Sequence, residues 1–119
     1  RDPTRGGVAT TLNEIAQNSG LSMIIDEKDI PVSGKVRAAC ELLGIDSLYI
    51  ANEGKAILVV KKAGARNVLS LLRRHPLGRN AQIIGRVVKQ PKATVILHTV
   101  LGTQRIVDML TSEALPRIC

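Results

Sequence analysis

The runs Ala81-Gln82-Ile83-Ile84-Gly85-Arg86-Val87-Val88 and Thr94-Val95-Ile96-Leu97-His98-Thr99-Val100 decide the fold. Both are rich in β-branched residues and are close to continuously apolar rather than cleanly alternating. That is the pattern of strands whose faces are covered by helices. Leu21 to Asp26 (LSMIID) is a third run of this kind, and a shorter strand is placed at Gln104 to Val107. Working back from these strands, Val8, Leu12, Ile15 and Ala16 recur at helical spacing, which predicts a helix from about Gly7 to Ser19 ended by Gly20. Glu27-Lys28-Asp29 reads as a polar turn. Ser33 suits the cap of a second helix through Leu43, with Val36, Ala39, Cys40 and Leu43 on its buried face and Gly44 after it.

Leu48 to Asn52 and Ala56 to Lys61 read as two strands joined through Glu53-Gly54-Lys55, a connection short enough for a hairpin. A third helix is expected at about Ala65 to Arg74, with Ala65, Val68, Leu69 and Leu72 inside and Arg66, Arg73 and Arg74 outside. His75-Pro76-Leu77-Gly78 stops it. Helices interleaved with strands, a hairpin and a late group of strands argue against a pure doubly wound sheet. The expected class is α/β (α+β), a layered sandwich with a mixed β-sheet covered by helices. No internal repeat or low-complexity segment interrupts it.

With 119 residues the chain has the size of one ordinary domain. Apolar residues make up 45 % and charged residues 23 %, nearly all the apolar bulk being Val, Ile, Leu and Ala, so it reads as globular rather than disordered. No apolar run approaches the length of a bilayer span, and no signal segment opens the chain, so a cytoplasmic, membrane-free protein is expected. Two cysteines far apart make neither a disulfide framework nor a metal site, and Cys40 reads as a buried structural thiol. The opening Arg1-Asp2-Pro3-Thr4-Arg5-Gly6-Gly7 has no initiator Met and reads as a functional loop, which points to a fragment with an N-terminal part missing.

Three places carry candidate chemistry. Asp2, Thr4, Arg5, Gly6 and Gly7 lead into the first helix, whose unpaired N–H groups and dipole favour an anion such as a phosphate or a carboxylate. The bland alternative is that Asp2 or Thr4 caps the helix. Glu53, between Asn52 and Gly54-Lys55, lies where a strand end aims a carboxylate at a cleft, as a general base or as the anchor of a donor group. A solvated hairpin glutamate is the alternative, and Asn52 and Lys55 share that ambiguity. The third place is the ending Leu115-Pro116-Arg117-Ile118-Cys119. Pro116 keeps it extended, and nine residues from Leu110 reach roughly 30 Å, so it reads either as an arm bearing a carrier thiol or as a frayed end. His75 reads as a helix cap and His98 as a strand residue, and no zinc set or Ser-His-Asp spacing accompanies them.

Seventeen Lys and Arg against ten acids give a net charge of +7 and a pI near 10.0. A basic surface attracts nucleic acid or an acidic partner, but a chain with Tyr49 as its single aromatic lacks stacking surfaces, and nucleic-acid binding is not expected.

Five stretches together resemble the HypE family of hydrogenase expression/formation proteins. They are Arg1 to Thr10, Leu48 to Lys55, His75 to Gly78, Arg105 to Leu110, and the closing Leu115-Pro116-Arg117-Ile118-Cys119, and they run from the first residue to the last. The resemblance implies the C-terminal domain of the superfamily that includes aminoimidazole ribonucleotide synthetase and selenophosphate synthetase. It implies a domain over 1–110, a tail over 111–119 and an N-terminal ATP-binding, dimer-forming domain absent from these residues.

It also implies an ATP-dependent S-carbamoyl-cysteine dehydratase. The Cys119 thiol would receive a carbamoyl group from a HypF-like carbamoyltransferase and be dehydrated to a thiocyanate. Its cyanide would pass to iron on a HypC–HypD scaffold during [NiFe]-hydrogenase maturation. Glu53 would be the base or orienting group, while Mg2+ and most ATP contacts would belong to the absent domain. The 119 residues alone are expected to be inactive. The rival readings are a phosphate-binding domain of a small-molecule kinase from another branch, with an incidental Cys119, and a non-enzymatic basic binding module.

Overall fold

The computed structural model of this chain describes residues 1–109. Helix α1 spans Gly7–Ser19 and closes on Gly20, whose N–H reaches the Ala16 carbonyl at 2.9 Å. The chain then reverses into strand β1, Ser22–Asp26. Further on come α2 (Gly34–Leu43), α3 (Ala65–Arg74), β2 (Gly85–Val88), β3 (Val95–His98) and β4 (Gln104–Ile106). The four strands form one sheet in the order β2-β1-β3-β4. β1 runs antiparallel to β2 and parallel to β3, with Met23 opposite Val95 and Asp26 opposite His98. β4 returns antiparallel to β3. The sheet is therefore mixed, and the fold is the α+β sandwich expected from the sequence.

The core lies between α1 and one face of this sheet. Ala9, Leu12 and Ala16, one stripe of α1, pack on Met23 and Ile25 of β1 and on Val95 and Leu97 of β3, with Leu48 and Val107 closing the ends. Each of these larger side chains contributes about 1.5–3 kcal/mol by leaving water. The strands alternate more than their composition suggested. Met23, Ile25, Val95 and Leu97 are buried, whereas Ile24, Ile96 and His98 between them are half-buried on the opposite face.

The second and third helices form where expected but bury less. Ser33 caps α2 by accepting the Val36 N–H at 3.3 Å, and Gly44 ends it in left-handed geometry. Of its expected inner face, Cys40 is buried, while Val36, Ala39 and Leu43 are exposed, because no other surface among the described residues lies against them. In α3 Ala65, Val68, Leu69 and Leu72 face inward but are only half-buried, with Arg66, Arg73 and Arg74 exposed as expected. Arg73 ties the helix to the approach to β2, donating to the Ala81 carbonyl at 3.0 Å and to Gln82 at 2.8 Å.

The expected hairpin is absent. Asp46 accepts the Leu48 N–H at 2.9 Å and draws Ser47–Tyr49 into a 3-10 turn with Leu48 buried in the core. Residues 56–61 form no strand with residues 48–52. Their backbone partners lie elsewhere: the Asn52 N–H donates to Pro3 and the Ile57 N–H to Arg1. Core placement of Leu48 outweighs the strand propensity of its neighbours, as tertiary packing commonly does.

Leu97, 1 % exposed, and Leu101, 87 % exposed, separate these contributions. Leu97→Ala should destabilise the fold by about 2–5 kcal/mol and Leu101→Ala by less than about 0.5 kcal/mol, read from urea midpoints.

Candidate functional site

The opening segment is held by main-chain bonds, with the Arg1–Glu14 ion pair beside them. Pro3 is fully buried, and its carbonyl accepts the Asn52 N–H at 2.9 Å. Arg1 and Ile57 exchange two main-chain bonds of 2.8 and 2.6 Å. Asp2, Thr4 and Arg5 are left on the surface. At Gly6 the backbone enters α1 in left-handed geometry, and no side chain caps the helix, so neither Asp2 nor Thr4 plays the capping part that the sequence left open. The first-turn N–H groups therefore remain without a side-chain acceptor. Beside them, Thr10 Oγ1 is buried without a hydrogen-bond partner among the described residues.

Gly7 fixes where this helix start sits. Its φ is +67°, and an added Cβ would lie 2.4 Å from the Leu48 carbonyl oxygen and 2.6 Å from that of Ile50. Only a glycine lets α1 come this close to the 48–50 backbone. Asn52, two residues on, is half-buried; its Nδ2 donates to the Ile50 carbonyl at 2.9 Å, and its Oδ1 accepts Lys55 Nζ at 3.1 Å. Glu53 sits on the exposed bend between them. The two segments singled out in the sequence, Asp2 to Gly7 and Asn52 to Lys55, are thus neighbours across the Pro3–Asn52 bond. The two segments carry a helix start without a side-chain cap, the surface cations Arg5 and Lys55 and the exposed carboxylate of Glu53, residue types suited to a phosphate and a proton acceptor.

Residues 1–98 match the family described as AIR synthase related protein, C-terminal domain. The chain belongs to this family. Across its whole length it is 54 % identical to a protein named carbamoyl dehydratase HypE from Cupriavidus necator, of which it covers 34 %. It is 45 % identical, with a TM-score of 0.93, to a solved hydrogenase maturation protein HypE, covering all of this chain and 39 % of that one. A HypE–HypF complex superposes with a TM-score of 0.87 at 45 % identity over 92 % of this chain and 35 % of that one. A HypE in complex with ATP superposes with 0.89 at 42 % identity over 96 % and 36 %. The resemblance read from the five stretches is borne out. The chain spans about a third of the length of the curated relatives it matches.

Past the family match, the chain at Val107 and Asp108 is anchored by two residues that sequence reasoning did not single out. Asn13, buried on α1, donates through Nδ2 to the Ala9 carbonyl at 2.9 Å and to the Val107 carbonyl at 2.7 Å. The Tyr49 hydroxyl donates to the Asp108 carbonyl at 2.9 Å. A polar Asn inside an otherwise apolar helix was the available signal for the first. A lone aromatic beside the Asn-Glu-Gly stretch was the signal for the second. Residues 110–119, including Cys119 and the rest of the expected tail, lie outside the described residues.

Other groups meet only in the fold. His98 Nδ1 lies 3.1 Å from Asp26 Oδ1, and Gln104 is 3.1 Å from its other nitrogen, joining the ends of β1, β3 and β4. Arg105 pairs with Asp46, and Arg1 with Glu14. Among the described residues no group of three His, Cys, Asp or Glu is placed to hold a metal ion, and no helix is long and apolar enough to cross a membrane.

Burial raises the pKa of Tyr49 above its ordinary value of 10.0, with the Asp46 and Asp108 charges adding to the rise and Arg105 opposing it. The folded state therefore favours the protonated phenol. That contribution is complete below pH 10 and is lost as pH rises through the folded pKa. Tyr49→Phe should cost about 1 kcal/mol at neutral pH through the lost bond to Asp108 and should flatten the fall in stability above pH 10, read from denaturant titrations across pH. Gly7→Ala should cost at least about 2 kcal/mol, since the left-handed backbone and the Leu48 carbonyl both oppose a Cβ.

Proposed function

We propose that this chain is the C-terminal domain of an ATP-dependent S-carbamoyl-cysteine dehydratase that acts in [NiFe]-hydrogenase maturation. Residues 1–110 form the body of that domain, and 111–119 a tail that carries the acceptor thiol of Cys119. The observation that carries this reading is the 54 % identity to a carbamoyl dehydratase HypE over all 119 residues, the closing Cys119 included in the matched span. The Pro3–Asn52 main-chain bond, which makes Asp2–Gly7 and Asn52–Lys55 neighbours, supports it.

In this reading a HypF-like carbamoyltransferase loads the Cys119 sulfur with a carbamoyl group. The relative solved with HypF supports that partner. Loss of the amide oxygen as water is slow because it is a poor leaving group. The nucleotide would supply a phosphoryl group to this oxygen, which then departs as inorganic phosphate rather than as water. Glu53 takes the nitrogen protons as the C–N triple bond forms, or holds the carboxamide nitrogen in place with Asn52. Arg5, Lys55, Thr4 and the N–H groups after Gly6 and Gly7 hold phosphate charge, with Asp2 at the domain junction. The helix start without a side-chain cap fits such an anion.

Carboxylates for Mg2+ and the remaining ATP contacts are assigned to an N-terminal domain of the longer protein, which also forms the homodimer. ATP is supported as the nucleotide by the relative solved with it. The thiocyanate then gives its cyanide to iron carried by a HypC–HypD scaffold in the cytoplasm, and the 119 residues alone are inactive.

In the full-length protein with carbamoyltransferase, carbamoyl phosphate and ATP, mass spectrometry should find adducts of about +43 and then about +25 Da on Cys119. Cys119→Ala should take up neither, and equal labelling of that variant would end the proposal. Glu53→Gln should accumulate the +43 species and convert it at least about 100-fold more slowly. An unchanged conversion rate would remove Glu53 from the chemistry.

A further inference from the structure

The run Ala56 to Lys61 has strand composition but no strand partner. Leu58, Val59 and Val60 are 56, 55 and 40 % exposed, and among the described residues none of them makes a backbone hydrogen bond. An apolar edge of this kind is a template for another strand. One residue earlier, the pairing has already begun. The Arg1 nitrogen donates to the Ile57 carbonyl at 2.8 Å, and the Ile57 N–H donates to the Arg1 carbonyl at 2.6 Å. Two residues that exchange both bonds are a hydrogen-bonded pair of an antiparallel ladder. The partner strand at this pair is the chain's own beginning, entering against the direction of residues 57–60.

We propose that the main chain directly upstream of Arg1 in the longer protein continues this ladder and covers the edge of Leu58 to Val60. The family is a C-terminal domain, and the relatives are about three times as long as this chain, so that upstream segment is the occupant. The register follows from the Arg1–Ile57 pair. The residue immediately before Arg1 faces Leu58 as a non-hydrogen-bonded pair, and the one before that exchanges bonds with Val59. The strand pattern of residues 56–61 is then satisfied by a segment in front of the domain rather than by residues 48–52. This inference stands apart from the proposed chemistry, since it concerns only backbone pairing.

Two measurements on the full-length protein test it. Amide exchange at Val59 should be at least about 100-fold slower than the rate of an unstructured chain. A non-hydrogen-bonded antiparallel pair brings Cα atoms close enough for a disulfide. In a Cys40→Ala, Cys119→Ala background, Leu58→Cys should therefore crosslink on mild oxidation to a cysteine placed immediately before Arg1, whereas Val59→Cys with that same cysteine should not. Unprotected exchange at Val59 overturns the proposal. So does protection without the Leu58 crosslink, which would put a different segment on this edge. Because exchange is read on the unsubstituted protein, a variant that fails to fold does not spare the proposal.

Discussion

The close seating of α1 on the sheet and on the 48–50 backbone is the constraint from which the rest follows. Ala9 and Ala16 are fully buried, and their small size lets the helix axis approach β1 and β3. At its first residue the helix comes closer still, to within a distance that no Cβ would permit, against the carbonyls of Leu48 and Ile50. A larger residue at Gly7 would push the helix start away from the segment that holds Asn52 and Glu53. It would also strain the Pro3–Asn52 bond that joins the opening loop to it.

That one seating organises three functions of position. It leaves the N-terminal turn of α1 without a side-chain cap, since the loop ahead is held through main-chain pairing. It puts Asn13 under Val107, so the outgoing chain is tied to the same helix. It also brings Tyr49, in the turn that Gly7 abuts, onto the Asp108 carbonyl. The entrance, the Asn52–Lys55 bend and the exit toward the C-terminus therefore share one rigid support.

The exposed apolar side chains tell a complementary story. Leu42, Leu43, Leu58, Val59 and Leu71 lie on parts of the chain that make few contacts with the core of α1 and the sheet. The helical patterns of α2 and α3 are real, and among the described residues the faces they mark for burial are only partly covered.

Periodicity alone determined the three helices, their glycine and serine ends and the strands β1 to β4, because spacing along a helix or strand is a local property that the sequence states directly. The same reading marked Asp2–Gly7 and Asn52–Lys55 as sites of chemistry, from glycine geometry and charge. Tertiary structure decided what those patterns were paired with. It turned Leu48–Tyr49 into a core-facing turn, matched Asn52 and Ile57 with Pro3 and Arg1, and recruited Asn13 and Tyr49 to hold Val107 and Asp108. Such choices depend on which distant backbone groups compete for the same donor, and that competition is settled only when the chain is packed.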